Sequence, residues 1–494
     1  MKLFFGHPGD QPDYHAYEAL QIFGGFCGMP EFVPGQDRMW LRAEGVDGAG
    51  NGGGAEEIDG AENSGETEKI DPGITDFYAE IPNISGSRDL ERHIYLLMRE
   101  ITGYSSPWGC LTGVRPTKIV NQLLSEGHTR DEVMGELTGF YMASEEKAKL
   151  AVMTALEQKP FLDEQTADPS RIGIYIGIPF CPSRCLYCSF TSNSIAKYKK
   201  SVDTYIDLLR SEMEATAEIV RDNSLKVESV YIGGGTPTSL GEEQFAGFIS
   251  DVVRTFIEPS LNLREFSVEA GRPDSITEGK LAAMRSAGVN RISINPQSMN
   301  DSTLRLIGRA HTAEQTVNAF SLARSAGFDN INMDIICGLP GEDMSMFSRT
   351  LDDIVRLSPE SVTVHTLSVK RAADLKRDER RNMLESSVVG NMVGEAASRL
   401  TATGMRPYYM YRQKNMLGNH ENVAYCLPGR ESPYNIHIME EDQTILAAGA
   451  GGVSKFVAPG VIRRAFNVKS VEEYLARSIE MAERKRALFP PDGR

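Results

Sequence analysis

From Ile172 onward, short apolar β-branched runs alternate with longer stretches of helical periodicity. The runs are Ile172–Ile178, Val227–Ile232, Glu265–Val268, Arg291–Ile294, Ile331–Ile336 and Ser361–Thr366. The helical partners fall near Tyr198–Val220, Glu242–Phe256, Thr277–Ala287, Ala313–Ala326 and Met344–Ser358. Short buried-strand patterns separated by helix-length segments predict successive βα units on a parallel sheet or barrel. Six such units span about 200 residues, fewer than the eight of a closed TIM barrel. The expected fold class is α/β, a parallel sheet or a partial (β/α)6 TIM-like barrel over residues 166–400.

The first 165 residues pattern differently, as an α+β domain. A short strand opens the chain, and helical periodicity appears over Arg88–Thr102, Pro116–Ser125, Arg130–Phe140 and Ser144–Gln158. Pro116 stands where a helix can begin, because a first-turn residue needs no amide donor. The tract Lys159–Arg171, with Pro160, Pro169 and several acids, reads as a linker. After Pro407 the pattern changes to Gly-, Asn- and Tyr-rich segments, expected to be a small C-terminal accessory region over 401–494.

Charge sharpens this picture. The chain has 494 residues with 52 Lys plus Arg and 68 Asp plus Glu, a formal charge of 52 − 68 = −16. Such a balance argues against general binding to nucleic acid or an anionic membrane, yet permits a local basic pocket. Eight of the acids, with eight glycines, fall between Glu44 and Glu68. That composition cannot offset its ordering entropy, so residues 44–68 are expected to be a disordered acidic insertion. No signal peptide or membrane-spanning apolar run is apparent, and the expected location is the cytoplasm.

Seven cysteines, an odd number, do not suggest a secreted disulfide framework. Three of them fall within eight residues, in Cys181-Pro182-Ser183-Arg184-Cys185-Leu186-Tyr187-Cys188, directly after a predicted strand. Cys thiolates hold iron–sulfur clusters, and three on one loop leave the fourth iron of a four-iron cluster open to a small ligand. A zinc site wants a second ligand pair that is not evident. A redox pair of Cys185 and Cys188 leaves Cys181 without a role. Cys337 reads as packing.

The C-x₃-C-x₂-C spacing with Tyr187 before the last cysteine resembles the radical S-adenosylmethionine (radical SAM) enzymes. The run Tyr175-Ile176-Gly177-Ile178-Pro179-Phe180-Cys181 is similar to the oxygen-independent coproporphyrinogen III oxidase subfamily. The whole chain, including Trp108–Lys118, most resembles its HemZ-type branch. The resemblance implies a 4Fe–4S cluster on Cys181, Cys185 and Cys188, and S-adenosylmethionine, in one or two molecules. It further implies a tetrapyrrole substrate, a reducing electron donor such as flavodoxin or ferredoxin, and a place in haem or porphyrin biosynthesis. In the resembled oxidases a 5′-deoxyadenosyl radical takes hydrogen from a propionate side chain. Loss of CO₂ and an electron then leaves a vinyl group, twice per coproporphyrinogen III. Another tetrapyrrole substrate and a haem-binding delivery role are the alternatives.

The same resemblance assigns cofactor contacts. Gly234, Gly235 and Thr236, in Gly233-Gly234-Gly235-Thr236-Pro237-Thr238, match the segment that receives the methionine amino group. Glu269 matches the ribose-side residue, and Gln297, Arg309 and Asp334 surround a second bound molecule. Polar residues at successive strand ends are also where a parallel barrel builds its site. Tyr175 and Tyr187 are expected against the cofactor, or as core. His365, near the end of the sixth strand, is a weaker candidate for proton donation or substrate contact. A substrate with four carboxylates needs cations, for which Arg272, Lys370, Arg371, Arg412 and Lys414 are candidates. Two positions depart from the full oxidases: Ser189 stands where they carry a further cysteine, and Gly177 where they carry a histidine.

Overall fold

The β-branched runs seen in the sequence do form strands, because each carries apolar residues on the face packed against the surrounding helices. In the computed structural model, residues 2–6, 14–23, 31–36, 39–44, 76–81, 86–188, 193–368, 386–413 and 416–489 are described. All six expected strands are present, as Arg171–Ile178, Lys226–Gly234, Glu265–Gly271, Arg291–Ile294, Ile331–Cys337 and Ser361–Thr366. They lie side by side in parallel in that order. Ile174, Ile176, Val230, Ile232, Ile292, Ile294, Ile335 and Val362 are fully buried and form much of the core behind the sheet.

Residues 401–494, expected as an accessory region, supply five of the eleven strands of this same sheet. Thr444–Ala448 adds a seventh parallel strand beside Arg171–Ile178, pairing Ala447 with Tyr175. Asn422–Cys426 and Arg406–Tyr411 extend the other edge in antiparallel fashion, and Val453–Ala458 and Val461–Phe466 close the first edge. All five side chains of both Asn422–Cys426 and Thr444–Ala448 are buried, as in strands covered on both faces. Among the described residues the sheet is open, with Arg406–Tyr411 and Val461–Phe466 as its edges.

The linker expected at Lys159–Arg171 is instead helical as far as Ala167, within a helix that begins at Glu145 and accommodates Pro160. Tertiary packing overrides the proline. Phe161 and Leu162 pack on a buried cluster of Tyr408, Tyr409, Ala424, Cys426 and Ile436, while Gln165 is tied to Gln443 at 2.8 Å. Residues 1–114 and 123–150 form one compact unit; residues 115–122 and 151–494 form the other. In the first, Lys2–Gly6 pairs in parallel with Glu31–Val33 and antiparallel with Trp40–Glu44, which pairs with Asp76–Glu80. Helices Tyr14–Gln21 and Ser87–Thr102 contribute Ala16, Ala19, Leu20, Ile94, Tyr95 and Met98 to its core. Thr129 and Glu132 form a reciprocal capping box at the helix Arg130–Gly139.

Of the insertion expected over 44–68, Glu44 closes a strand and the remainder lies outside the described residues. So do Ser189, Lys370, Arg371 and Lys414. No described helix is long and apolar enough to cross a membrane.

Candidate functional site

The inward faces of the parallel strands are polar, and they surround a cavity of about 440 Å³. Strand side chains alternate between faces, so the isoleucines and valines fill the core behind while Tyr175, Tyr231, Glu269, Arg291, Ser293, Asn332, Asp334, Thr363 and His365 line the cavity. Twelve residues expected at the site border this one space: Tyr175, Cys181, Cys185, Tyr187, Cys188, Gly234, Gly235, Thr236, Glu269, Gln297, Arg309 and Asp334. His365 joins them. The third strand runs to Gly271 rather than Val268, so Glu269 lies within it, as Asp334 lies within Ile331–Cys337. A polar inward residue does not end a strand whose other face is still apolar.

The cysteine loop is held from several directions. Leu186 donates its amide to the Ile307 carbonyl at 3.0 Å, and Ser183 Oγ donates to the Gly308 carbonyl at 3.0 Å. The Gly235 amide donates to the Ile178 carbonyl at 2.8 Å and the Thr236 amide to that of Phe180 at 2.7 Å. Two glycines explain why the triple-glycine run abuts the loop so closely. Gly234 has φ +109°, and a Cβ on Gly235 would lie 2.5 Å from the Phe180 carbonyl oxygen and 3.0 Å from Cys181 Sγ. Thr236 Oγ1 donates to Cys181 Sγ at 3.6 Å.

Cys181 and Cys185 are buried and Cys188 is half-buried. Burial pushes the Cys181 thiol up to about 11, so iron would have to displace its proton on binding. Among the described residues no three His, Cys, Asp or Glu side chains converge as they would on a single ion. Three thiols on one wall of a cavity suit a polynuclear cluster, in which each thiolate takes its own iron.

Electrostatics organise the rest of the lining. Burial raises Glu269 to about 7, with the Asp334 charge adding and the Tyr231 hydroxyl opposing. Burial also works against the Asp334 carboxylate. His365 Nε2 at 3.7 Å and Asn332 Nδ2 at 2.7 Å outweigh it and hold the Asp334 pKa below the ordinary value. Arg309 reaches the Tyr187 hydroxyl through Nε at 3.3 Å and bonds the Asn295 carbonyl through Nη1. Tyr175, Tyr231 and Tyr434 form a stacked trio, the last two with centroids 4.4 Å apart. Gln297 has φ +68°, sparsely populated for a non-glycine residue. Its amide donates to the Asp334 carbonyl at 2.9 Å.

The cation candidates fare differently. Arg272 is a cavity-lining residue but is committed within the protein: its guanidinium forks onto Asp274 at 2.9 and 2.8 Å and donates to Ser183 Oγ at 2.6 Å. It therefore anchors the cysteine loop rather than offering a free fork to substrate. Arg412 reaches the Asn419 carbonyl at 3.5 Å and is not among the cavity-lining residues. Cys337 is fully buried away from the cavity, as packing requires. Arg291, which sequence reasoning passed over as a strand residue, does line the cavity. Its signal was present in the alternation Arg291-Ile292-Ser293-Ile294-Asn295, polar at every second position.

Comparison with known proteins agrees with this geometry. The radical SAM superfamily pattern matches residues 175–354. Over 386 residues, 77% of each chain, the protein is 42% identical to the oxygen-independent coproporphyrinogen-III oxidase-like protein HemZ of Bacillus subtilis. It is 32% identical to the heme chaperone HemW of the same organism over 61% of this chain and 74% of that one. Among solved structures, the coproporphyrinogen III oxidase HemN of Escherichia coli, a radical SAM enzyme, aligns with TM-score 0.52 at 23% identity. That alignment covers 66% of this chain and 73% of that one, and shows the fold alone.

Proposed function

We propose, for a chain that belongs to the radical SAM superfamily and to its oxygen-independent coproporphyrinogen-III oxidase-like family, that it oxidatively decarboxylates the propionates of coproporphyrinogen III to vinyl groups. The family uses a 4Fe–4S cluster and S-adenosylmethionine. When bound, they supply one-electron radical chemistry able to remove hydrogen from an unactivated carbon. The observation that carries the reading is that the three cysteines and the polar ring of Glu269, Gln297, Arg309 and Asp334 line one cavity.

Each residue's part follows from its place. Cys181, Cys185 and Cys188 hold the cluster, with Arg272 and Ser183 fixing the loop that carries them. Gly234, Gly235 and Thr236 lie beside Cys181, where their backbone carbonyls and the Thr236 hydroxyl oxygen are the acceptors for the amino end of S-adenosylmethionine. Glu269 accepts ribose hydroxyls, and Tyr175 and Tyr187 cover the bound cofactor. Gln297, Arg309 and Asp334 serve a second bound molecule. His365, paired to Asp334, contacts the substrate. The electron donor is a flavodoxin- or ferredoxin-type protein.

The relative named a heme chaperone, together with Gly177 and Ser189 in place of the full oxidase residues, supports a second reading as a haem-binding delivery protein. Anaerobic incubation of the cluster-loaded protein with coproporphyrinogen III, dithionite and S-adenosylmethionine separates the two. Protoporphyrinogen IX is expected. Formation of 5′-deoxyadenosine without vinyl product would remove the oxidase reading and leave another tetrapyrrole as substrate. Stoichiometric haem retention without cofactor cleavage would establish the delivery role.

A further inference from the structure

One face of the strand Arg291–Ile294 and its continuation carries four successive inward residues with unsatisfied polar atoms. They are Arg291 Nε and Nη2, Ser293 Oγ, Asn295 Oδ1 and Gln297 Oε1. All four residues line the cavity, and Arg291, Ser293 and Gln297 are more than nine-tenths buried. The intervening Ile292 and Ile294 are fully buried on the other face. A buried polar atom left without a partner costs about 1–3 kcal/mol, and an unpaired buried charge costs several. Four in a row along one face therefore mark a surface built to be completed by a ligand.

The positions along this ladder differ in kind. Gln297 lies at the cofactor end, its amide tied to the Asp334 carbonyl, two residues past Asn295, whose carbonyl accepts from Arg309. Arg291 begins the strand, roughly 13 Å below Asn295 at about 3.3 Å per residue, at the opposite end of the cavity from the cysteine loop. Among the described residues no carboxylate comes within ion-pair distance of Arg291. Of the two acids whose charges act on Arg291, Glu265 has its oxygens taken by Ser432 Oγ, Ser267 Oγ and the Tyr434 amide. Glu269 accepts from Tyr231. Strand register sets Ser293 between Glu269 and Asn332, whose oxygen is already taken by Ser361 and Thr363.

We propose that Arg291 and Ser293 form an anion subsite at the deep end of the cavity that binds a carboxylate of the molecule occupying it. A planar guanidinium with two free donors on one edge matches a carboxylate in bidentate fashion, and the Ser293 hydroxyl adds a third donor beside it. Two sources present that group: a propionate of the substrate, which rests on the tetrapyrrole reading above, and the methionine carboxylate of a bound S-adenosylmethionine. The subsite makes Arg291 a specificity determinant, since a ligand with no carboxylate leaves a buried cation unpaired.

Equilibrium binding to the cluster-loaded protein under anaerobic conditions tests this, with coproporphyrin III, its tetramethyl ester and S-adenosylmethionine as probes. Arg291→Met is expected to weaken coproporphyrin III binding, or S-adenosylmethionine binding, about tenfold or more. The affected probe names the source of the carboxylate. If it is the porphyrin, the same substitution is expected to leave binding of the tetramethyl ester unchanged. Should Arg291→Met fail to fold, Arg291→Lys, which keeps the charge and loses the fork, and Ser293→Ala decide the matter. Each is expected to cost a smaller but measurable factor. Unchanged affinity for both carboxylate probes in these variants overturns the subsite while leaving the tetrapyrrole reading standing. A wild-type protein that binds no porphyrin, but whose S-adenosylmethionine affinity depends on Arg291, removes the tetrapyrrole reading and keeps the subsite.

Discussion

The Tyr231 hydroxyl donates to Glu269 Oε1 at 2.7 Å, so a carboxylate that burial raises to about 7 is also held by a neutral donor. The native state keeps a proton on Glu269 that the unfolded chain, near 4.5, has released. This contribution to stability is fully present below about pH 4.5 and is lost as pH rises through about 7. Glu269→Gln cannot ionise. In protein free of cluster and cofactor, it is expected to exceed wild type by up to about 3 kcal/mol at pH 8, the margin shrinking toward pH 5. Urea unfolding across that range checks it, and a pH-independent difference would contradict the assignment.

Cysteine chemistry divides by location. Cys181→Ala, Cys185→Ala and Cys188→Ala are each expected to abolish the brown 4Fe–4S absorbance after anaerobic reconstitution. Cys337→Ala and Cys426→Ala, buried outside the cavity, are expected to retain it and lose only packing. Iron content and visible spectra decide, and a cluster that survives in Cys185→Ala would refute the ligand set.

Arg272 holds the cysteine loop through Ser183. Arg272→Lys keeps a positive charge but cannot reach Asp274 and Ser183 together, so iron is expected to pass to a chelator on the order of tenfold faster than from wild type. Equal rates would show that the Leu186 and Ser183 contacts to the Ile307–Gly308 backbone suffice alone.

Gln297 pays a backbone cost for its position. A left-handed conformation costs a non-glycine residue about 1 kcal/mol. Gln297→Gly is therefore expected to be about 1 kcal/mol more stable than Gln297→Ala, while both weaken S-adenosylmethionine binding. Thermal unfolding of the pair is the measurement, and an alanine variant as stable as the glycine variant contradicts the strain.

The six parallel strands and the cysteine trio were legible because local rules govern them: β-branched runs between helical segments, and three thiols within eight residues. The C-terminal strands were not legible. Thr444–Ala448 joins the sheet beside a strand some 270 residues earlier, a pairing that no local pattern encodes. Nor was Pro160 legible as helical, since burial of Phe161 and Leu162 decides it.

At the site, the amino-acid sequence by itself determined which chemistry is present, because iron ligation demands particular residue types at particular spacing. Tertiary structure alone decided what each cation does. Arg272 and Arg291 look alike along the chain, yet one is spent on Asp274 and Ser183 while the other faces the cavity with two donors free. The difference lies in which groups strand register and loop packing bring within hydrogen-bond reach, distances that exist only once the sheet has formed.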